Sequence, residues 1–162
     1  MSIAPCLSSE RMDWQTPDAV LDLVRKVAPI GLDPCTTADN PCGAERFYCR
    51  PEHDGLADPW NGMGLVYLNP PYGREISQWT RTAALWAAQG VEIVMLTGAK
   101  PDTQWWHGDI VPGAAGVLFW KGRLRFRGAP AAAPFPSALV YYGERLDRFT
   151  RACDGHGWLV YP

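Results

Sequence analysis

Asn69-Pro70-Pro71-Tyr72 follows directly on the apolar run Leu65-Val66-Tyr67-Leu68. Two consecutive prolines cannot donate to a sheet ladder, and each holds the residue before it extended. A buried strand must therefore stop here and present a polar side chain and an aromatic ring from its end. The carboxyl end of a strand is where open α/β sheets bind ligands. An asparagine amide oxygen and a nearby proline carbonyl can accept both protons of a flat exocyclic amine, while a tyrosine offers a face on which a planar base stacks. Those are the needs of a site that modifies the amino group of a nucleobase.

Other residues could serve such a site, and each also has a plainer reading. Asp33-Pro34 closes the apolar Ile30-Gly31-Leu32; a carboxylate there can hold a cationic ligand group, and Asp-Pro is equally a turn opener. Thr16-Pro17-Asp18 reads as a helix start with a hydroxyl cap, proline at the first position and an acid in the first turn. The same helix end is a ready anion site. Asp54, before Gly55-Leu56, is either a turn aspartate or a hydrogen-bond acceptor, with Asp58 as its alternate. Of Trp105 and Trp106 at least one must be core, leaving the other to line a pocket, while His107 reads as a surface histidine. Lys121, Arg123, Arg125 and Arg127 alternate with Gly122, Leu124, Phe126 and Gly128. On a strand that sets four cations on one face, either solvated or gripping phosphates.

The Asn-Pro-Pro-Tyr element resembles the catalytic motif of S-adenosylmethionine-dependent amino methyltransferases acting on adenine in DNA. Further pieces agree in order and spacing: Trp14-Gln15-Thr16-Pro17, Asp33-Pro34-Cys35, Asp54-Gly55-Leu56, Trp60, Trp105 and Gly122-Arg123-Leu124-Arg125-Phe126. Over roughly residues 13 to 142 the chain resembles the small phage and prophage N-6-adenine DNA methyltransferases. The resemblance implies a catalytic role for Asn69, Pro70, Pro71 and Tyr72, and cofactor contacts at Thr16, Pro17, Asp33, Pro34 and Asp54. It also implies DNA contacts at Lys121, Arg123, Arg125, Arg127 and Trp105, S-adenosylmethionine as cofactor, DNA as partner, and a setting in the cytoplasm of a bacterial host. Asparagine ahead of Pro-Pro-Tyr favours adenine by family habit. Cytosine N4, an RNA base or a glutamine amide as target, and a relic that binds DNA without methylating it, remain open alternatives.

These residues need a scaffold. A chain of 162 residues fits one domain and buries about 70% of its unfolded surface; residues 1–12 are expected to be a flexible N-terminus. Forty-seven percent apolar residues and eight tryptophans indicate a globular fold, and 16 Gly with 15 Pro a loop-rich one. Val20, Val24 and Val27 recur at helical spacing until Pro29. A second helix is expected from Ser77 to Gln89, with Trp79, Ala83, Trp86 and Ala87 on one face and Gly90 as its stop. A third is expected from Asp102 to Asp109. Val91 to Leu96 is a near-continuous apolar run, as in parallel strands covered on both faces. Residues 34–62 read as turns with one strand around Glu45 to Cys49. Val117 to Trp120, residues 121–127 and Ala138 to Tyr142 read as strands without intervening helices. Alternation first and hairpins last predict a compact, Rossmann-like mixed α/β sheet with helices on both faces and an antiparallel C-terminal hairpin.

Composition bounds the rest. No stretch approaches the length of a membrane span, and Glu10, Arg11 and Asp13 do not fit a signal peptide. Five cysteines suit a reducing compartment. Cys35, Cys42 and Cys49 recur every seven residues, whereas zinc ligands usually pair about two to four apart, so thiols and not a metal site are expected. A net charge of −2 and a pI near 5.9 do not announce a nucleic-acid binder, so any phosphate grip must come from local distribution. No block is left for a separate target-recognition domain, so specificity is expected to be short or relaxed, and no obligatory protein partner is evident.

Overall fold

The computed structural model describes residues 15–162; the expected flexible segment 1–12, and Trp14, lie outside them. The described residues form helices α1 (Asp18–Val27), α2 (Ile76–Ala88) and α3 (Leu146–Cys153), with a π-helical turn over Trp106–Ile110. The strands are β1 (Ile30–Asp33), β2 (Arg46–Phe47), β3 (Leu65–Leu68), β4 (Ile93–Gly98), β5 (Gly116–Trp120), β6 (Ser137–Tyr142) and β7 (Gly157–Val160). They join one sheet in the order β2-β1-β3-β4-β6-β5-β7. β2, β1, β3 and β4 are parallel, and β6, β5 and β7 add antiparallel pairs. The expected mixed α/β sheet with an antiparallel C-terminal part is thus what forms.

Its central strands are apolar on both sides because both sides are covered. β1, β3, β4 and β6 are buried along their whole length. Alternate residues divide between two clusters. Tyr67, Val94, Leu96, Leu139 and Tyr141 face the layer containing α1 and α3, and Val66, Leu68, Ile93, Met95 and Val140 face Trp79, Ala83 and Trp106 of α2 and the π-helical turn. Asp109 ties that second layer together. Its carboxylate accepts Thr80 Oγ1 at 2.7 Å and Arg81 at 3.4 Å, and its carbonyl accepts the Tyr142 hydroxyl at 2.9 Å.

Because β5 is reversed twice relative to β4, the carboxyl ends of β1, β3, β4 and β5 share one edge. Ser137, the first residue of β6, pairs there with Gly98. The 121–136 connection therefore lies on the edge where Asn69 emerges.

Several expectations are corrected. α1 is opened by the Pro17 carbonyl, which accepts from Val20 and Leu21 N–H, and no side chain caps it; the Thr16 hydroxyl has a tertiary partner instead. Residues 121–127 are not a strand. β6 and β7 already occupy both sides of β5, so the chain leaves the sheet past Gly122 (φ 80°) and makes only an isolated bridge from Arg127 to Gln15. The third helix begins at Gln104 and widens into the π-helical turn. Cys35, Cys42 and Cys153 are free thiols, but Cys49 takes part in a disulfide. α3 and β7 have no counterpart in the sequence reading, although Phe149, Ala152 and Cys153 supply a buried helical stripe.

β1 reaches β3 through a bulge: Ile30 pairs with Leu65 and Leu32 with Val66, leaving Gly31 as the extra residue. A Cβ on Gly31 would stand 1.6 Å from the Met63 carbonyl oxygen. Backbone at such range cannot yield cheaply, so Gly31→Ala should destabilise the fold by about 1–3 kcal/mol or more in chemical denaturation. Unchanged stability would mean that the bulge does not fix β1 against β3.

Candidate active site

Asn69 stands one residue beyond β3, half-buried, with Pro70 buried behind it. Its Oδ1 accepts the Tyr72 hydroxyl at 3.2 Å, and its Nδ2 donates to Thr16 Oγ1 at 3.3 Å. Thr16 Oγ1 lies 2.9 Å from the Tyr67 hydroxyl. Thr16 and Tyr67 are both buried, so this hydroxyl pair is a fixed anchor that holds the amide from the α1 side. An amide oxygen has two acceptor sites, and Tyr72 occupies one. Burial pushes the Tyr72 phenol well above its usual value, which keeps it protonated and a donor.

The Tyr72 ring meets Phe135 edge-on at 5.1 Å and Phe126 at 6.4 Å. Beside it is a cavity of about 220 Å³ lined by Tyr72, Ile76, Thr97, Lys100, Trp105 and Phe135, among others. The tryptophan pair resolves accordingly: Trp106 is buried core and Trp105 lines the cavity.

Asp33 ends β1 and is only 2% exposed. Its Oδ1 accepts the Cys35 N–H at 3.1 Å, which is the turn that Asp-Pro predicts. Burial pushes its carboxyl up to about 6, opposed by hydrogen bonds from Cys35 N–H and from the Cys42 and Thr36 side chains. Among the described residues Asp33 forms no ion pair. The loop after β1 is crossed by Gly55, where a Cβ would meet the Pro34 carbonyl at 2.0 Å, so Asp54 is carried to the neighbourhood of Asp33 and Pro34. Its carboxylate is engaged there: Oδ1 accepts Leu56 N–H at 3.0 Å and Arg50 at 3.0 Å. Arg50 also reaches Glu75, just past the Asn-Pro-Pro-Tyr motif, at 3.5 Å. Asp58 accepts Asp54 N–H at 2.8 Å and faces His53 at 3.3 Å. Both aspartates therefore shape the loop.

The basic run keeps its two-sidedness without being a strand. Leu124 and Phe126 are buried, and Lys121, Arg123, Arg125 and Arg127 are exposed. Arg127 pairs with Asp18 at the start of α1, and Arg125 donates to the Pro130 carbonyl at 3.4 Å. Phe126 couples this run to Tyr72. Sequence reasoning missed Tyr67, Thr97, Lys100 and Phe135. For Thr97 and Lys100 the available signal was their place at the carboxyl end of the next parallel strand.

A family model described as DNA N-6-adenine-methyltransferase (Dam) matches residues 5–137. The chain belongs to this family. It is a DNA N6-adenine methyltransferase, and its mixed open sheet with helices on both faces accords with the S-adenosylmethionine-dependent methyltransferase fold. No curated protein matches the chain. The match to the Dam family ends at Ser137, the first residue of β6, so α3 and β7 lie beyond it. Among the described residues no helix is long and apolar enough to cross a membrane.

Asp33 yields a test that needs no ligand. Its folded-state value of about 6 lies above the ordinary 3.8, so the folded protein holds the proton more tightly than the unfolded chain. The resulting stability is complete below about pH 4 and is lost as pH rises through about 6. Asp33→Asn, which cannot ionise, should therefore unfold at a higher temperature than wild type at pH 8, with the difference closing towards pH 4. A pH-independent difference in thermal unfolding would show that the Asp33 carboxylate is not desolvated.

Proposed function

We propose that this methyltransferase uses S-adenosylmethionine and that Asn69 and the Pro70 carbonyl hold the exocyclic amine of a flipped adenine at the end of β3. The observation that carries the reading is the Asn69 amide, anchored through Nδ2 on the buried Thr16–Tyr67 pair, with Oδ1 bonded to Tyr72, whose ring lines the cavity, and keeping its second acceptor site. Asp33 supports the cofactor: a buried carboxylate without an ion-pair partner among the described residues fits a ligand that carries a cationic amino group. Pro34, with Asp54 in the Gly55 loop packed on it, would line the same site, and Thr16 and Pro17 would join it from the start of α1. When bound, S-adenosylmethionine supplies a methyl group made electrophilic by a positive sulfur.

The chain's own residues do the rest by orientation. Asn69 Oδ1 and the Pro70 carbonyl accept the two N–H bonds of the amine, which turns its lone pair out of ring conjugation. Oδ1 can do this while still accepting from Tyr72. Pro71 holds the tight exit from β3 that keeps the two acceptors together, and Tyr72 gives the base an aromatic wall. Tyr72 is no proton acceptor because burial keeps it protonated, so the amine proton leaves to water. A target within a duplex is out of reach of these groups and has to be flipped out. Trp105 would flank the flipped base, and Lys121, Arg123, Arg125 and Arg127 would contact phosphates on the same sheet edge. A DNA substrate also supports a cytoplasmic setting in the bacterial host of a phage or prophage.

Asn69→Ala removes an acceptor aligned with the amine, and turnover should fall by about 10²-fold or more while cofactor affinity and folding are kept. Methylation of unmethylated DNA with labelled cofactor, followed by nucleoside analysis, checks it; near-wild-type turnover would sink the mechanism. Arg127 is paired with Asp18, so of the three arginines Arg123 and Arg125 reach phosphate without breaking an ion pair. Changing both to Gln should flatten log affinity against log salt by about two units, equally for every DNA sequence. An unaltered slope would make this face merely solvated.

A further inference from the structure

The cavity beside Tyr72 contains a polar group that the mechanism above does not use. Thr97, near the end of β4, is 0% exposed, and its hydroxyl has no hydrogen-bond partner among the described residues. A buried hydroxyl left unpaired is costly, whereas valine has the same shape and carries no such cost. Packing alone would thus be served better by valine. Two other buried polar atoms share this condition among the described residues, Trp79 Nε1 and Ser137 Oγ. Trp79 lines a cavity of only about 10 Å³ beside Pro34 and Cys35, which has room for a single water. Ser137 does not line the Tyr72 cavity. Thr97 differs from both because it lines a cavity of about 220 Å³ walled by the rings of Tyr72, Trp105 and Phe135.

We propose that the Thr97 hydroxyl donates a hydrogen bond to a ring nitrogen of the flipped target adenine and so helps select it. The inference rests on the reading of Asn69 and Pro70 as the amine clamp. With both amine protons taken there, what adenine still offers a neighbour is N1, N3 and N7, all acceptors, and a hydroxyl is the donor they need. The aromatic walls hold a planar ring without regard to its identity. A single buried donor adds the discrimination they lack, because a base without the matching acceptor leaves that donor unpaired.

Thr97→Val keeps the shape and removes the donor. It should fold with a melting temperature equal to or above that of wild type and keep its S-adenosylmethionine affinity, while kcat/KM on DNA falls about tenfold. Thr97→Ser should keep kcat/KM near wild type. Substrates carrying 1-deaza-, 3-deaza- or 7-deaza-adenine at the target position identify the acceptor. Wild type should lose about tenfold on one of the three, and Thr97→Val should lose nothing further on that one. Wild-type kcat/KM in Thr97→Val, or losses that simply multiply on all three analogues, would overturn the proposal. Asn69→Ala assayed alongside separates the two failures. An inactive Asn69→Ala with an unimpaired Thr97→Val removes only the Thr97 contact, and an active Asn69→Ala removes the amine clamp itself.

Discussion

Pro70 and Pro71 lack the N–H that a ladder requires, and they stand at the end of a strand that has neighbours on both sides. β3 lies between β1 and β4, so its termination after Leu68 leaves a gap in the interior of the sheet and not at a border. β4 runs on to Gly98, and β1 ends at Asp33. What gathers round the gap does so because the ladder has stopped: Thr16 reaches it from the start of α1, Tyr67 from within β3 itself, and Tyr72 folds back to Asn69. A continuous strand would have buried Asn69 as an ordinary ladder residue and closed the space that Tyr72 and Phe135 now border.

Two groups of residues meet at that gap. On the α1 side lie hydroxyls, a thiol and a carboxylate, namely Thr16, Tyr67, Cys42 and Asp33, bonded to one another within the apolar core. Between Tyr72 and Phe135, which pack on the α1-side cluster, and Trp105, which packs on the α2-side one, lie the aromatic cavity and the unpaired Thr97 hydroxyl. Neither arrangement favours folding for its own sake. A desolvated carboxylate and an unpaired hydroxyl both raise the energy of the native state, and the buried apolar residues of the central strands offset that cost. The strain is local and electrostatic, which is what a binding site looks like before its ligand supplies the missing partners.

The sequence was most legible where local chemistry and tertiary role coincide. The Pro-Pro stop, the apolar run of β4, and the Gly90 end of α2 each depend on properties of the residues themselves. It was least legible where the partner is distant. Thr16 carries the residue type of a helix cap, and nothing beside it signals that its hydroxyl belongs to Tyr67, 51 positions away. Residues 121–127 alternate in burial as a strand does, but alternation reports which way side chains point and not whether the backbone has a neighbour to bond. With both sides of β5 taken, the same pattern becomes an extended connection. Thr97 was legible only by position: at the end of an apolar run threonine and valine read alike as strand residues, and the cavity is what distinguishes them.

The Dam match stops at Ser137, yet the unit that shapes the cavity does not. β6 fills the place between β4 and β5 and satisfies both ladders, so β4 could not present Thr97 without it. β7 acts through the rings. Trp105 contacts Trp106 at 5.8 Å, Trp106 stacks on Phe119 at 6.0 Å, and Phe119 stacks on Trp158 at 5.5 Å. Trp158 is 69% exposed and would be an unremarked surface ring but for this series, which runs from the cavity wall to the last strand of the sheet. Gly157 lets that strand approach, since a Cβ there would stand 2.0 Å from the Phe119 carbonyl. The wall that Trp105 offers a base is therefore braced from outside the matched region, and the C-terminal strand belongs to the site although none of its residues touches the cavity.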